Sequence, residues 1–506
     1  MTSDLSSYTP AADAQPAGNP TGEPGGGPTL AQQLAAFARH VAVHGVPQEV
    51  AASVGQRTLD ILGLCVAAHR LPTSAAAIGH VLDQGGHPQA TIVGLEQRVN
   101  AGQAAFANGV LAHSLDYDDT HLPSVLHPSA SVVPAALAAA EHAGASGEIT
   151  TRAIAAGLEV AVRLGMAGYD ATLGNSVFFE HGQHATSITG AMGSAVAAAI
   201  AYGLDETGIA DVLGLTASMA SGVIEANRTG GTVKRLHCGV AAEAGINAAL
   251  LVRRGFTGPP TVLEGRFGFF QAWLHGQFFP EAITSGLGTE WSVPGIFFKP
   301  YPANHFTHTT VDAGRAFAAA GITPADVAEV VVGVAGSTVR TIGEPLEVKR
   351  TPATGYQAQF SGPYAFAAGL IGGGGLATGL DDYTDALATD PLRRDLMAKV
   401  TVVADERCDA IYPFQFPAVV RLRTTDGREL VEEVLTNRGG PARPLSAAEL
   451  GRKFADNVAG RLAPATAAAV SAEILRLPEV DDLSAALAPL ATFIPTTDTT
   501  DHEESL

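Results

Sequence analysis

With 506 residues, 46% of them hydrophobic and alanine prominent among these, the chain is long enough for two folding units and apolar enough for large cores. Its formal net charge of −20 leaves no basic face for nucleic acid or an anionic membrane, so neither is an expected partner, and an anionic small molecule needs a local cluster of cations. Three widely spaced cysteines (Cys65, Cys238, Cys408) with no CxxC pair exclude a disulfide framework and a zinc ribbon.

Residues 1–27 are rich in Gly, Pro, Ser and Thr, and 496–506 are similarly polar; both are expected to be disordered tails. No basic run followed by an apolar segment marks a secretory signal, so a cytoplasmic protein is expected. The longest apolar stretch, Ile188 to Leu204, is mostly Ala and Gly, which suits a tightly packed core helix better than a membrane span.

From about Leu30 to Leu287 the pattern is repeatedly helical. Leu59, Leu62 and Val66 follow i, i+3, i+7, and Ile154, Leu158 and Ala161 follow i, i+4, i+7. Gly85-Gly86 and Pro259-Pro260 punctuate the series. After Pro294 the texture changes. Val330–Val334 predicts a strand after a short helix capped by Thr323, Val400–Val403 predicts another, and 418–423 with 429–434 flank a hairpin turn at Asp426-Gly427. Ser446 and Glu449 form a capping box that reopens helical texture around Phe454. The expected fold is mainly α with a smaller α+β domain: a helical domain over 28–295, an inserted α/β lid domain over 296–443, and the rest of the helical domain over 444–495.

The densest chemistry lies in HSLDYDDTHLPSVLHPS, His113 to Ser129. Carboxylates beside imidazoles at a helix end are what proton transfer requires, since each sets the other's pKa. Asp116 and Thr120 share a face if the helix persists that far, with Asn108 two turns below. Asp118 and Asp119 read first as caps of the next segment. DYDD lacks the glycine and terminal glutamate of a calcium loop, and the histidine spacing is not HExxH, so no metal is expected.

Further candidates follow in order. His181 and His184 precede a glycine-rich helix start. Lys234, Arg235 and His237 put three potential cations within four residues. The chain has 25 arginines and only five lysines (Lys234, Lys299, Lys349, Lys399, Lys453), so a retained lysine suggests a task suited to a compact ammonium. Lys299 opens KPYPANHFTH, with His305 and His308, where the two textures meet and a cleft is expected. Gly372–Gly375 has neither a P-loop lysine nor a preceding strand, and no GxSxG elbow occurs.

Taken together, ANGVLAHSLDYDDTHLPSVLHPSASVVPAALAAAE (107–141), HATSITGAMGSA (184–195), KRLHCGVAAEAG (234–245), KPYPANHFTH (299–308), FSGPYAFAAGL (360–370) and PLSAAELGRKF (444–454) resemble the MmgE/PrpD family over about residues 30–490. That family includes 2-methylcitrate dehydratase, cis-aconitate decarboxylase and iminodisuccinate epimerase. The resemblance implies a homodimer with a cofactor-free active site between a helical and an α/β domain. The positions carried over are Asp116, Thr120, His127, His184, Lys234 and Lys299. Two departures stand out: Asn304 where a histidine is expected, with His305 beside it, and Val339 where a tyrosine is expected.

On this reading the substrate is a small polycarboxylate. His127, oriented by Asp116, is the general acid or base, and His184 is the second proton carrier. Thr120, Lys299, His305, Arg235 and His237 bind the substrate, and Lys234 joins the catalytic set as an electrostatic partner. Elimination of water from a citrate-like hydroxy acid ranks first, decarboxylation second and epimerisation third, with a catalytically inactive binding relative as the alternative class.

Overall fold

The computed structural model describes residues 27–226 and 231–493. Residues 1–26 and 494–506 are outside that range, so the expected tails fall almost wholly outside the described residues.

The chain is mainly helical with one small mixed sheet. Helices α1 (Leu30–His44) and α2 (Gln48–Ala68) are followed by α3 (Ala101–His113), α4 (Ser129–Ala143), α5 (Gly147–Ala167), α6 (Ala185–Ala201) and α7 (Val233–Val252). Every residue of α3 and α6 is buried, so these are core helices covered on all sides rather than surface helices with one exposed face. Small residues permit this. A Cβ on Gly157 of α5 would sit 2.6 Å from the Gly193 carbonyl of α6, so the two backbones touch where side chains would hold them apart. α2 is long and apolar enough to cross a membrane by composition, yet it lies largely inside the protein and carries the buried Arg57 and Asp60.

The second texture forms as read from sequence. Strands β1 (Val327–Val334), β2 (Val400–Ala404), β3 (Ala418–Thr424) and β4 (Glu429–Val434) are ordered β2-β1-β3-β4. β1 and β2 run parallel, with Val330 opposite Val400, and the other pairings are antiparallel. The helix expected before β1 is a single 3-10 turn, Pro324–Asp326, closed by the Thr323–Asp326 capping box. Helices α8 (His308–Ala319) and α9 (Gly362–Ile371) contribute Phe317 and Phe366 to the core beside the sheet.

One apolar core gathers residues from Leu30 to Ile296 and again from Phe454 to Leu490, while a second runs from Ala303 to Val434. Helix α10 (Ala447–Val458), opened by the Ser446–Glu449 capping box, gives Phe454 and Val458 to the first core. Its Leu450 packs instead with Phe298 and Tyr301 at the junction. Return of the chain to the first core matters for the site, because α10 also carries Lys453.

Candidate active site

Helix α3 ends at His113, so the helical face expected to join Asp116 and Thr120 does not exist. Asp116 instead has φ +52°, a left-handed conformation that non-glycine residues seldom adopt and that clusters at functional sites. The sharp turn throws its carboxylate toward two ammonium groups. Lys234 Nζ, near the start of α7, lies 3.0 Å from Asp116 Oδ1, and Lys299 Nζ lies 3.2 Å from the same oxygen. Lys299 also donates to the Asp116 carbonyl at 2.8 Å. Burial alone would raise the Asp116 pKa; Lys234, Lys299 and then His127 outweigh it and hold the carboxyl well below the usual carboxylate range. Asn108, two turns below, is spent on the Thr91 carbonyl and the Val93 amide and takes no part.

A third lysine reaches the same turn. Lys453 Nζ donates to the Tyr117 carbonyl at 3.0 Å, pairs with Asp60 at 2.8 Å and lies 3.9 Å from the Tyr117 ring centre. Thus three of the five lysines converge on Asp116 and Tyr117. Lysine scarcity pointed at Lys234 and Lys299, and Lys453 carried the same signal without being chosen.

The other two aspartates do different work. Asp118 Oδ2 accepts from His113 Nδ1 at 2.7 Å, both side chains being fully buried, so the capping role read for Asp118 gives way to a buried hydrogen bond to His113. Burial raises the Asp118 pKa, but His113 and His127 overcome that and drive it far down. Asp119 is not the N-cap of α4, which is Pro128, but from ten residues upstream it accepts from the Ser129 amide at 3.2 Å and from the Ser129 hydroxyl at the start of that helix. It also takes Arg57 at 2.7 Å. Arg57 in turn donates to the Val293 and Ile296 carbonyls, tying α2 to the segment that leads to Lys299.

His127 is not oriented by Asp116, whose partners are the lysines. Its Nδ1 faces the Asp119 carbonyl at 2.7 Å, with Thr120 Oγ1 at 3.4 Å and Asp118 Oδ2 at 3.9 Å. A carbonyl can only accept, so the Nδ1 carries the proton and Nε2 keeps the lone pair. Burial, against the pull of Asp118, pushes the His127 pKa down to about 3. His184 begins α6, and its Nδ1 meets His237 Nδ1 at 2.7 Å. Burial and then His237 hold His184 well below its ordinary value, and burial takes His237 to about 4. Burial therefore favours the neutral form of His127, His184 and His237. The ring centre of His113 stands 5.3 Å from that of His127 and 5.9 Å from that of His184.

The opposite wall comes from the Lys299–His308 segment. Thr120 and Phe297 exchange two backbone hydrogen bonds of 2.8 Å, which stitches this segment to the Asp116 loop. His305 is 4% exposed, and neither ring nitrogen has a hydrogen-bond partner among the described residues. It stacks on His308 at 4.4 Å and is flanked by Phe297 and Phe416. Burial, then His308, Lys299 and His127, press its pKa well down, so it faces the cluster electrostatically. Asn304, standing where a histidine was expected, accepts from the Phe306 amide and caps the 3-10 turn that presents His305. Val339 lies in a short helix after β1 and packs against the second core.

Two sequence candidates lie outside the cluster. Arg235 donates to Thr73 Oγ1 at 3.0 Å and stacks over Tyr356, so its head is engaged elsewhere. His181 is exposed and packs edge-on to His275. Among the described residues, no group of three His, Cys, Asp or Glu side chains is placed to hold a metal ion.

Comparison with known proteins agrees with this architecture. A profile described as the MmgE/PrpD N-terminal domain matches residues 32–282, and one described as the MmgE/PrpD C-terminal domain matches 301–477. The cis-aconitate decarboxylase of Homo sapiens is 29% identical over 395 residues, 75% of this chain and 77% of the relative. That of Mus musculus is 29% identical over 397 residues, 75% and 76% respectively. That of Aspergillus terreus is 26% identical over 295 residues, 56% and 59%. With both profiles matched in order over most of its length, the chain belongs to the MmgE/PrpD family.

Proposed function

We propose that this protein is a lyase acting on a small polycarboxylate, with loss of CO₂ from a cis-aconitate-like acid as the first reaction to test. One observation carries the reading: Lys234 and Lys299 share a single carboxylate, Asp116, inside a buried ring of imidazoles. These two ammonium groups are the local cations that a substrate carboxylate needs against the acidic whole.

In decarboxylation the bond between a carboxylate carbon and its neighbour breaks, and the electron pair spreads into the remaining unsaturated acid as a dienediolate. The lysines stabilise that charge as it develops. His127 or His184 then delivers a proton to carbon. Both imidazoles are neutral beforehand, but a bound polyanion favours their protonation, so substrate binding itself loads the acid. These side chains supply each step, and we infer a cofactor-independent site in a homodimer.

A second reading, elimination of water from a citrate-like hydroxy acid, is favoured by a separate observation. Asp116 Oδ2 and Asp118 Oδ1 are buried acceptors without partners among the described residues, and a substrate hydroxyl would satisfy one of them. Incubation with cis-aconitate and with citrate in D₂O, followed by NMR, separates the readings. CO₂ release with one deuterium on carbon supports the first, and unsaturated acid formed from citrate supports the second. Failure of every di- and tricarboxylate to react or exchange would leave a binding protein.

A further inference from the structure

His113 closes α3, and Asp118 returns to it after the turn at Asp116. Since a carboxylate can only accept, the 2.7 Å contact puts a proton on His113 Nδ1 and leaves Nε2 as the ring nitrogen free to exchange one. That Nε2 is buried and has no hydrogen-bond partner among the described residues. The ring lies between His127 and His184, its centre 5.3 and 5.9 Å from theirs, while His184 continues through its hydrogen bond to His237. Four imidazoles thus form a file, backed by a carboxylate at His113.

We propose that the His113–Asp118 dyad is a proton relay joining His127 to His184. His113 Nε2 accepts a proton from one imidazolium and passes it to the other, and the Asp118 carboxylate neutralises the imidazolium formed in between. No electrons are transferred and no group leaves; the proton that charges His113 is the one it gives up. The ring spacing is longer than a direct hydrogen bond, so each transfer runs through a bridging water or a swing of the ring. His113 and Asp118 act through their neighbours and are positioning residues. Their value is to let a proton picked up at one carrier be used at the other, and to make every turnover start with the same imidazole loaded. The inference rests on the proposed roles of His127 and His184.

The test uses the full chain with cis-aconitate and citrate as probes, comparing wild type with His113→Gln and Asp118→Asn. The expected result for His113→Gln is a kcat lower by about 100-fold, in the range lost with one acid–base group, with KM within about twofold. Its solvent deuterium isotope effect should rise, and added imidazole should restore part of the rate. In wild type, NMR should show a strongly downfield imidazole proton that disappears in both variants. A merely structural tie between helix and loop would lower thermal stability without an isotope effect or imidazole rescue, and that outcome overturns the relay. So does an active wild type whose His113→Gln variant keeps its kcat, or a wild type lacking the downfield proton. If wild type converts neither acid nor any other polycarboxylate, the lyase reading falls and takes the relay with it.

Discussion

The two walls of the site are built on opposite principles. On the Asp116–Ser129 wall every reactive side chain is anchored and keeps an atom or a charge to spare: Asp116 by two lysines, Asp118 by His113, His127 by a backbone carbonyl. On the Lys299–His308 wall, His305 is buried among aromatic rings with no hydrogen-bond partner among the described residues. Buried polar groups normally find partners, and leaving one bare costs about 1–3 kcal/mol. The first wall is preorganised by the helical body; the second keeps stability in reserve until a ligand completes it.

The comparison breaks most readily at Asp116. Asp116→Asn leaves Lys299 buried without its counter-charge, and breaking such a pair costs about 3–5 kcal/mol. Turnover of cis-aconitate should fall at least about 1,000-fold and the melting temperature should drop sharply; a stable, active variant would end the claim that this wall is preorganised.

His305→Phe should behave the other way. An unpartnered imidazole in an aromatic setting gives way to a ring of similar shape, so thermal stability should hold or rise while kcat falls about 100-fold. Equal losses of stability and activity would show that both walls are built alike.

Protonation gives a smaller, signed effect. His127 and His308 are held near about 3, and His237 near about 4, all below the ordinary 6.5. Between those values the unfolded chain binds more protons than the folded one, so the unliganded protein should lose stability as pH falls from 6.5 toward 4. A polyanion reverses the preference, so calorimetry in buffers of different ionisation enthalpy should show net proton uptake on binding. Proton release would contradict the neutral imidazoles.

Arg235→Ala should change least. Its partners are Thr73 and Tyr356, so kcat/KM should stay within about threefold of wild type. A loss comparable to that expected for Asp116→Asn would place Arg235 in the site after all.

Much of the fold could be read directly. Leu59, Leu62 and Val66 lie buried on one helix, the valine runs form neighbouring parallel strands, and Ser446 caps the helix that contains Phe454. Each of these signals is local, since spacing and capping act within a few residues. Scarce or clustered residue types marked the segments that hold Asp116, His127, His184, Lys234 and Lys299, and the family resemblance singled out those positions within them.

Their partnerships were not legible. Lys234, Lys299 and Lys453 reach Asp116 and Tyr117 across 118, 183 and 336 residues of chain, and α10 must return to the helical core before the third contact can exist. The positive φ of Asp116 and the pairing of Asp118 with His113 depend on a loop clamped from several directions at once. Sequence alone determined which elements form and which side chains carry charge. Tertiary packing decided which charges meet, and burial, by removing water, decided which of them stay charged.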